Sequence, residues 1–423
     1  MKGKIPKVTL LGSNSGNNLG DAAIMAAILD KLSIELPGAE FYVPTTKPSF
    51  VRKHYGDNYN VQAIDIMPWT GSIRFVGLTT MRCLWKSDVA LICDGIIFGK
   101  KFFNPLFNFL ITLVFVVPIA RLFGCKVVCY SCGIGPFPSR ASRIAARWVM
   151  NGCDLLMMRE PESRDIARSL GVTQPIELTG DAAFINSVSD DLRAAEIIKQ
   201  EGIDALTPIF GVNVTAYFDS WLAQDERLAD KSGFIDLLAQ SILGAQQDAQ
   251  ERFQVVLFST HPMDEPTVFE LAKRLNCKVI HNSKYQSHDI MAVMRRCQLF
   301  MGMRFHSLVL ASAVGAPVVG LIYAPKVRGY MKLLRCEDYS LELAKLTMDG
   351  LRERISCGWR ERAALKGRQD PIVNDLKRGA HRAAQLLHEK YFSDYRAASQ
   401  NEVSIDAASD QARVATIRQQ ANS

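Results

Sequence analysis

The chain alternates apolar runs with helical patterns, and the clearest example, residues 301–331, restricts the possible folds more than any other stretch. An apolar run at residues 298–303 predicts a buried strand, a helical pattern follows at residues 307–314, and a second strand is predicted at residues 317–323. Similar alternation of strands and helices occurs in both halves of the chain. This order predicts two doubly wound α/β domains, each with a parallel sheet, and a cleft between them.

Charged side chains follow both of these strands where each strand ends: Arg304 and His306 after the first, Lys326 and Arg328 after the second. Because α/β sheets bind ligands beyond the carboxyl ends of their strands, we expect these side chains to form one cationic pocket. If the backbone is extended, Arg304 and His306 share a face. Arg and Lys suit carboxylate or phosphate groups, and His is best suited to donate a proton near neutral pH. The alternative, a structural His and solvated cations, accounts less well for several polar groups at one edge.

A glycine-rich loop at residues 12–20 connects the first predicted strand to a helix. Such loops can hold a phosphate on backbone amides, but this one lacks the GxGxxG pattern and a P-loop Lys, and Asp21 would repel an anion. Two interpretations therefore stay open: a tight turn with a capping Asp, or a site in which polar side chains bind the hydroxyls of a sugar. The side chains of the second interpretation are Asn14, Asn17, Asn18 and Asp21.

Two more polar residues follow predicted strands and are candidates for the same cleft. Arg159 comes after a strand at residues 154–158, where it would either reach the cleft or form an ion pair with Glu160 that fixes the loop. His261 comes after a strand at residues 253–259, where it would serve as a second acid or ligand contact, or would bond only within its own loop. The sequence leaves both alternatives open.

An uncharged apolar segment at residues 102–120 lies within the first predicted domain. It approaches the roughly 20 apolar residues that a membrane-spanning helix needs, but it contains two Asn and two Pro residues. A spanning helix would also place the two parts of one domain on opposite sides of a membrane. We therefore expect a helix that is buried or lies on a membrane surface, with its Phe-rich face in contact with lipid in the second case.

Composition excludes several classes of protein. The 423 residues carry a net charge of +7, which suits anionic substrates or a membrane surface, but no dense basic run indicates nucleic-acid binding. The ten Cys lie mostly in apolar contexts, which indicates buried thiols in a reducing compartment, and no signal peptide is visible. We therefore expect a cytoplasmic protein, peripheral at the inner face of the membrane if the apolar segment docks there. Cys129 and Cys132 form a CxxC pair without a partner at zinc spacing, so no metal site is expected.

Shifts in pattern along the chain predict its organisation. The first domain is expected at residues 1–190 and the second at residues 205–335. Charged helices at residues 336–395 are expected to pack back across the first domain. A tail at residues 396–423 is rich in Ser, Ala, Gln and Asp, has few large apolar residues, and is therefore predicted to be flexible.

Five stretches of the chain resemble the polysaccharide pyruvyl transferase family. They are GSNSGNNLGDAAI near the amino terminus, GIGP at residues 133–136, MREPES at residues 158–163 followed by LGV, GDAAF at residues 180–184, and MRFHSLVLASAVGAPVVGLIYAPKV from Met303. The first and last of these are fairly specific in combination, and the middle ones are weak alone. This chain departs from the family at Asp94-Gly95, where it has DGIIFGKKFFN in place of the usual run of glycines.

The resemblance implies a glycosyltransferase-B-like fold of two Rossmann-like domains, and transfer of a pyruvyl group from phosphoenolpyruvate to two hydroxyls of a glycan sugar, forming a cyclic ketal. It implies no metal or organic cofactor, and a glycan or lipid-linked oligosaccharide as acceptor. His306 would be the general acid that protonates the donor methylene, a role worth about 10²–10⁴-fold in rate. Donor binding is assigned to Arg304, Lys326 and Arg328 of the second domain. Acceptor binding is assigned to Asn17, Asn18, Asp21, Arg159 and His261.

Two other functions are compatible with the sequence. A nucleotide-sugar-dependent glycosyltransferase would have the same two-lobed shape, and ligand-induced thermal shifts would distinguish the two donors. A non-catalytic protein of glycan assembly would bind glycan without releasing phosphate. The altered loop at Asp94-Gly95 permits this second alternative, whereas Arg304, His306 and Lys326 argue against it.

Overall fold

The first of two parallel β-sheets occupies the amino-terminal half of the chain in the computed structural model, which describes residues 5–216 and 231–395. Within these residues, seven strands pair in the spatial order third, second, first, sixth, seventh, eighth, ninth, and a small antiparallel hairpin of the fourth and fifth strands lies outside the sheet. In chain order they are β1 (Lys7–Leu11), β2 (Glu40–Thr45), β3 (Val61–Asp65), β4 (Ser72–Ile73), β5 (Val76–Gly77), β6 (Val89–Ile92), β7 (Lys126–Cys132), β8 (Leu155–Met158) and β9 (Ile176–Leu178).

The second sheet is also parallel and has six strands in the described part of the chain, in the spatial order twelfth, eleventh, tenth, thirteenth, fourteenth, fifteenth. They are β10 (Ile209–Asn213), β11 (Gln254–Ser259), β12 (Lys278–His281), β13 (Cys297–Gly302), β14 (Val318–Ile322) and β15 (Leu341–Glu342). Both sheets reverse their direction of growth beside a central strand. That reversal is the switch point at which α/β sheets place their ligands.

Helices cover both faces of the first sheet. One face carries α1 and α2; on the other, α3, α4 and α5 pack side by side and share an apolar core with β6 and β7. The helices are α1 (Leu19–Glu35), α2 (Pro48–Tyr55), α3 (Leu78–Lys86), α4 (Phe109–Leu122), α5 (Arg140–Gly152) and α6 (Pro161–Ser169).

The remaining helices surround the second sheet, and the last of them returns to the first. They are α7 (Asp191–Gln200), α8 (Lys231–Asp248), α9 (Glu265–Leu275), α10 (Ser287–Met294), α11 (Phe305–Ala313), α12 (Pro325–Leu333), α13 (Met348–Arg360) and α14 (Arg362–Tyr391). Near its start, α14 is held to β14 because the side chain of Gln369 exchanges two hydrogen bonds of 2.8 Å with the backbone of Val318. Beyond its end, the Tyr395 hydroxyl donates to the carbonyl of Pro37 in the first domain. The predicted tail at residues 396–423 lies outside the described residues.

The apolar segment at residues 102–120 forms helix only from Phe109. Asn108 stops the helix from extending further back, because its side chain accepts from the amide of Ile111 and donates to the carbonyls of Phe98 and Lys100. The resulting α4 has 14 residues, and a bilayer needs about 20. None of the helices that the structure describes is both long and apolar enough to cross a membrane.

The carboxyl ends of the two sheets face each other. Residues that follow β1 hydrogen bond to residues that follow β11 and β12: the amide of Leu19 donates to the carbonyl of Thr260 at 2.9 Å, and the side chain of Asn282 donates to the carbonyl of Asn17 at 2.9 Å. Strand ends from both domains therefore enclose one interdomain cleft.

Candidate active site

The interdomain cleft has a volume of about 690 Å³ and brings together residues from both ends of the chain. Its first-domain wall includes Asn17, Asn18 and Asp21, and its second-domain wall includes His261 and Arg304. These five residues were all selected from the sequence. On the outer side the cleft is bordered by Ile73 and Arg74, which the sequence analysis did not single out, and by Leu106 of the apolar segment at residues 102–120.

Asp21 lies where the cationic residues of the second domain meet the first domain. It is in the first turn of α1, and burial raises the pKa of its carboxyl, while the nearby charges of His306 and Lys326 act in the opposite direction. Burial lowers the pKa of the Arg304 guanidinium, and Asp264 raises it. Asp21 is also close enough to raise the pKa of Arg304, though by less than Asp264 does. Three of the four predicted cationic side chains therefore surround one carboxylate of the opposite domain.

Arg304 is held by a buried acid that the sequence analysis did not identify. Its backbone is extended and caps α11, with the amide donating to the side chain of Asn213 at 3.1 Å. Nε and Nη2 of the guanidinium both donate to the carboxylate of Asp264, which is fully buried and also accepts from Thr215 and from the amide of Ala216. This pairing leaves Nη1 and the second hydrogen of Nη2 available for a ligand in the cleft.

His306 does not share an extended face with Arg304, contrary to the expectation from their spacing. Helix α11 begins at Phe305, so His306 lies in the first turn and turns towards the first domain. Its Nε2 is 3.5 Å from Oδ2 of Asp181 and has no hydrogen-bond partner within the described residues. The imidazole also packs against Gly20, at the start of α1. His306 is thus placed between two carboxylates of the first domain, Asp21 and Asp181.

Lys326 and Arg328 do not converge as the sequence analysis expected. Both belong to α12, where two residues correspond to about 200° of rotation, so their side chains leave opposite sides of the helix. Arg328 forms a two-pronged ion pair with Glu342 on the surface instead of joining Arg304. The side chain of Lys326 is exposed to solvent but has protein atoms on many sides; this desolvation, followed by the charges of Arg159 and Arg304, lowers its pKa to about 8.

Arg159 combines both roles that the sequence left open. Its guanidinium is buried, donates to Glu160 at 2.6 Å and to Asp181 at 3.0 Å, and stacks 4.2 Å from the ring centre of Phe305. The position of the Arg159 guanidinium requires a glycine at residue 133, in the GIGP stretch, because a Cβ there would lie 2.3 Å from Nη2 of Arg159. Arg159 therefore joins the two domains and positions Asp181 beside His306.

Asp181 is ionised across the neutral pH range. Burial alone would raise the pKa of its carboxyl, but His306, Arg159 and the amide of Ala183 lower it to about 2. Its two oxygens accept from Ala183 and Arg159, and one faces His306. The sequence placed Asp181 only at the end of the first domain, since nothing in Gly-Asp-Ala-Ala reveals which residues approach it in the fold.

Asp94, noted only as a departure from the family pattern, is part of the same cluster. It follows β6 with a positive φ of 65° and is buried, with Oδ2 accepting from the amide of Ser13 at 2.8 Å. Its other oxygen has no partner within the described residues. Burial, together with the charges of Asp21 and Asp181, raises the pKa of Asp94 well above its usual value. The altered loop thus places a carboxyl that favours its neutral form beside Asp21.

The polar residues of the glycine-rich loop divide between structure and cleft. Asn14 is buried, and its side-chain Nδ2 donates to the carbonyls of Leu10 and Pro44, so this group is not available to a sugar. Asn18 caps α1 by accepting from the amide of Gly20, although it also borders the cleft. Asn17 accepts from Lys47 at 2.5 Å and faces the cleft. Asp21 and Asn17 are therefore the loop side chains best placed to meet a ligand.

His261 has a local bond as well as a position in the cleft wall. Its Nδ1 accepts from the amide of Met263 at 3.1 Å, which leaves Nε2 directed to other partners. Burial, and then the charge of Arg304, lowers its pKa, so the neutral imidazole is favoured at neutral pH. This His suits a hydrogen bond to a ligand better than proton donation.

Arg304 and Asp21 line the cleft, and His306 and Lys326 lie close enough to Asp21 to affect its pKa, so together these groups can bind anions, donate a proton and accept protons. Arg304 and Lys326 supply positive charge, His306 supplies an acid, and Asp21 supplies a carboxylate on the opposite wall. No cluster of three or more His, Cys, Asp or Glu with metal-binding geometry occurs among residues 5–216 and 231–395. The ten cysteines are free thiols, most of them buried.

Comparison with known sequences identifies the family of the chain. A family model described as polysaccharide pyruvyl transferase matches residues 18–325, which include Asp21, His261, Arg304 and His306 but not Asn17 or Lys326. The chain is also 23% identical over 382 residues to the amylovoran biosynthesis protein AmsJ of Erwinia amylovora. That alignment covers 81% of this chain and 89% of the relative.

Comparison with solved structures concerns the fold. The UDP-N-acetylglucosamine 2-epimerase of Methanocaldococcus jannaschii superposes with a TM-score of 0.59 at 11% identity, covering 91% of this chain and 100% of the epimerase. The epimerase of Neisseria meningitidis, solved with UDP-N-acetylglucosamine, gives a TM-score of 0.57 at 13% identity, covering 91% of this chain and 99% of that one. At such low identity the likeness shows the fold alone, and it confirms the predicted glycosyltransferase-B-like arrangement of two Rossmann-like domains.

Proposed function

Because the chain belongs to the polysaccharide pyruvyl transferase family, we propose that it transfers a pyruvyl group from phosphoenolpyruvate to two hydroxyls of a glycan sugar, with a cyclic ketal as product. The relative named for amylovoran biosynthesis supports a role in the synthesis of an exopolysaccharide. The ten free thiols suit a reducing compartment, so the proposed reaction takes place on the cytoplasmic side.

One observation supports this proposal most strongly: the charges of Arg304, His306 and Lys326, all from the second domain, lie close enough to act on Asp21 of the first-domain wall. Phosphoenolpyruvate is small and carries a carboxylate and a phosphate. The free donors of Arg304 fit either group in a planar, two-pronged manner, and Lys326 adds a point charge for the other. The donor would thereby lie beside His306, on the second-domain side of the cleft.

The proposed chemistry begins with a proton transfer to carbon. His306 protonates the methylene of the enol, which becomes the methyl group of the product, and the adjacent carbon acquires oxocarbenium character. A sugar hydroxyl attacks that carbon and loses its proton to a carboxylate. The C–O bond to phosphate then breaks, and a second hydroxyl attacks the same carbon and closes the ring. Of the two hydroxyl protons, one leaves with phosphate and the other restores His306, so that the carboxylate and His306 both end as they began. Every atom is accounted for without redox chemistry, so the proposal includes no cofactor.

The first-domain carboxyls suit the two hydroxyls of the acceptor. Asp21 is the carboxylate that lines the cleft opposite Arg304, and it is proposed as the group that orients a hydroxyl and takes its proton. Asn17, Asn18 and His261 border the same space and can donate or accept hydrogen bonds with the sugar. Arg159 is buried in ion pairs, so its proposed role is to position Asp181 and His306.

The test is release of phosphate from phosphoenolpyruvate in the presence of candidate glycans, with mass spectrometry of the glycan to detect one added pyruvyl ketal. The wild-type protein should release phosphate only with an acceptor, and His306→Gln should reduce the rate at least about 10²-fold. His288→Gln, on the exposed surface of α10, is the matched control and should be fully active. Near-normal activity of His306→Gln would remove the acid assignment. Stabilisation by UDP-N-acetylglucosamine, with none by phosphoenolpyruvate, would favour a nucleotide-sugar transferase instead.

A further inference from the structure

The outer surface of α3, α4 and α5 exposes an unusual number of large apolar side chains. Trp85 is 69% exposed, Phe115 55% and Trp148 59%. Leu78, Leu122 and Ile144 are also more than half exposed. Scattered apolar residues on a surface need no explanation, but a contiguous patch usually marks an interaction site.

Helical spacing places these side chains on one continuous face. Leu78 and Trp85 are seven residues apart on α3, Phe115 and Leu122 are seven apart on α4, and Ile144 and Trp148 are four apart on α5. Residues at these spacings lie on the same side of a helix. Because α4 packs against both α3 and α5, the three stripes adjoin each other, with the buried sides of the same helices in the domain core. We refer to this surface as the α3–α5 face.

The α3–α5 face is also strongly cationic. The three helices contain no Asp or Glu and carry six cations, which are Arg82, Lys86, Arg121, Arg140, Arg143 and Arg147. Residues 66–152, which contain these helices, have ten Lys and Arg and only two Asp, a net charge of +8, against +7 for the whole chain. Both Asp already have partners or are buried: half-buried Asp88 accepts from the amide of Lys7, and Asp94 is buried in the site. The chain thus concentrates its excess positive charge around one apolar face.

We propose that the α3–α5 face docks on an anionic lipid bilayer. Trp and Phe side chains favour the boundary between head groups and acyl chains, and Arg and Lys are attracted to anionic head groups. A second copy of the chain fits this face less well, because a two-fold interface would bring two identical sets of six cations together. The segment at residues 102–120 contributes Phe115 of α4 to this face.

The position of the face suggests how the acceptor is delivered. Ile73 and Leu106 border the cleft and are also exposed, and the Nε of Arg74 joins them by donating to the carbonyl of Leu106 at 2.6 Å. The hairpin that carries Ile73 and Arg74 packs against α3 and α4. The outer rim of the cleft therefore continues into the α3–α5 face. This placement suits a glycan carried on a membrane lipid, an extension that depends on the proposed transfer to a glycan.

Vesicle flotation tests the docking without any substrate. The wild-type chain should float with vesicles that contain phosphatidylglycerol, should bind pure phosphatidylcholine vesicles much less, and should lose binding in roughly 0.5 M salt. The double variant Trp85→Ser/Trp148→Ser, and separately Arg82→Gln/Arg147→Gln, should each weaken binding about tenfold or more. Leu192→Ser/Leu206→Ser is the matched control, because both residues are exposed and apolar but lie outside this face; it should bind like wild type.

Absence of binding by the wild-type chain, or equal binding by the Trp variant and the control, would overturn the proposal. Light scattering provides a second check: a wild-type dimer that the Trp variant converts to monomer, without vesicle binding, would assign the face to self-association. Vesicle binding does not depend on turnover, so it stands or fails independently of the proposed reaction. If transfer is established, the Trp variant should keep its rate on a soluble glycan and lose it on a vesicle-borne one; equal rates on both would remove the lipid-linked acceptor.

Discussion

Gly20 of the first domain and His306 of the second are in direct contact. A Cβ added to Gly20 would lie 2.1 Å from Cγ and Nδ1 of His306, closer than any real side-chain contact. Gly20 is in the first turn of α1, next to Asp21. The position of the proposed acid therefore depends on the absence of a side chain in the opposite domain, and the closed contact between domains is part of the site.

Gly20→Ala should reduce turnover by roughly 10²-fold, because a displacement of about 1 Å at the reacting group has that effect. Ala is otherwise the better helix former by about 0.5–1 kcal/mol, so a general loss of stability is not expected from the helix itself. Gly367→Ala is the matched control: Gly367 lies within α14, and a Cβ there would meet no atom within 4 Å. It should be as active as wild type and slightly more stable. Equal turnover in the two variants would show that His306 tolerates displacement.

The ion pair between Arg304 and Asp264 predicts different outcomes for the substitutions Arg304→Ala and Arg304→Lys. Arg304→Ala should destabilise the fold by about 3–5 kcal/mol, because it leaves the buried charge of Asp264 without a partner. Arg304→Lys keeps that charge compensated but loses the planar donors, so the melting temperature should change little while kcat/KM for phosphoenolpyruvate falls about 10²-fold. Arg328→Ala removes an exposed ion pair and should affect stability by less than about 1 kcal/mol and leave kcat/KM unchanged. A large loss of kcat/KM in Arg328→Ala would return Arg328 to the donor site.

The lowered pKa of Lys326 predicts how kcat/KM for phosphoenolpyruvate depends on pH. Its pKa is lowered to about 8, so the side chain loses its positive charge as the pH rises through this value. We expect kcat/KM for phosphoenolpyruvate to fall above about pH 8, because kcat/KM reports the ionisation of the free enzyme. At saturating donor the fall should move to higher pH, since the bound dianion favours the protonated amine. Lys326→Arg should abolish this limb of the profile, and an unchanged limb in that variant would assign it to another group.

The ends of the strands were predictable from the sequence because buried strands consist mostly of apolar residues. Mostly apolar runs such as β1 and β13 are long enough to identify, and the polar residue at the end of each run must leave the sheet on its carboxyl side. Arg304 and His261 were therefore assigned to the cleft by position alone. The limit of this reasoning appears at His306, where the helix begins two residues earlier than expected, and at Arg328, which lies in a helix that the sequence analysis did not predict. A helical turn separates side chains that an extended backbone would place together.

The acids of the site were not identified because their effect depends on tertiary contacts. Asp264, Asp181 and Asp94 each occur in a short loop, where an Asp ordinarily caps a helix or turn. Only the fold shows that Asp264 meets Arg304 and that Asp181 lies beside His306. Asp94 differs from the family pattern, which has glycine at this position, so it could be recognised as unusual. The sequence did not reveal that the Asp94 carboxyl lies close to Asp21. Departures from a family pattern at a strand end are thus worth testing as part of the site.

Asp94→Asn should stabilise the protein near neutral pH. A carboxyl whose pKa is raised on folding contributes its full stability when the pH is below the pKa of the unfolded state, which is near 3.8. That contribution is lost as the pH rises through the pKa of the folded state. Asn resembles the neutral carboxyl in shape and tolerates the positive φ of 65° at this position. The variant should therefore match wild type at about pH 4 and exceed its free energy of unfolding by at least about 1 kcal/mol at pH 7.

Urea unfolding at several pH values between about 4 and 7 measures this difference. The other shifted groups of the site, Asp21, Asp181, His261 and Lys326, are present in both proteins, so the difference between the variant and wild type is compared at each pH. Turnover of Asp94→Asn should stay within a few-fold of wild type, because the neutral form of the group is preserved. A variant that is less stable than wild type at every pH would show that Asp94 is ionised in the fold, with a partner that compensates its charge.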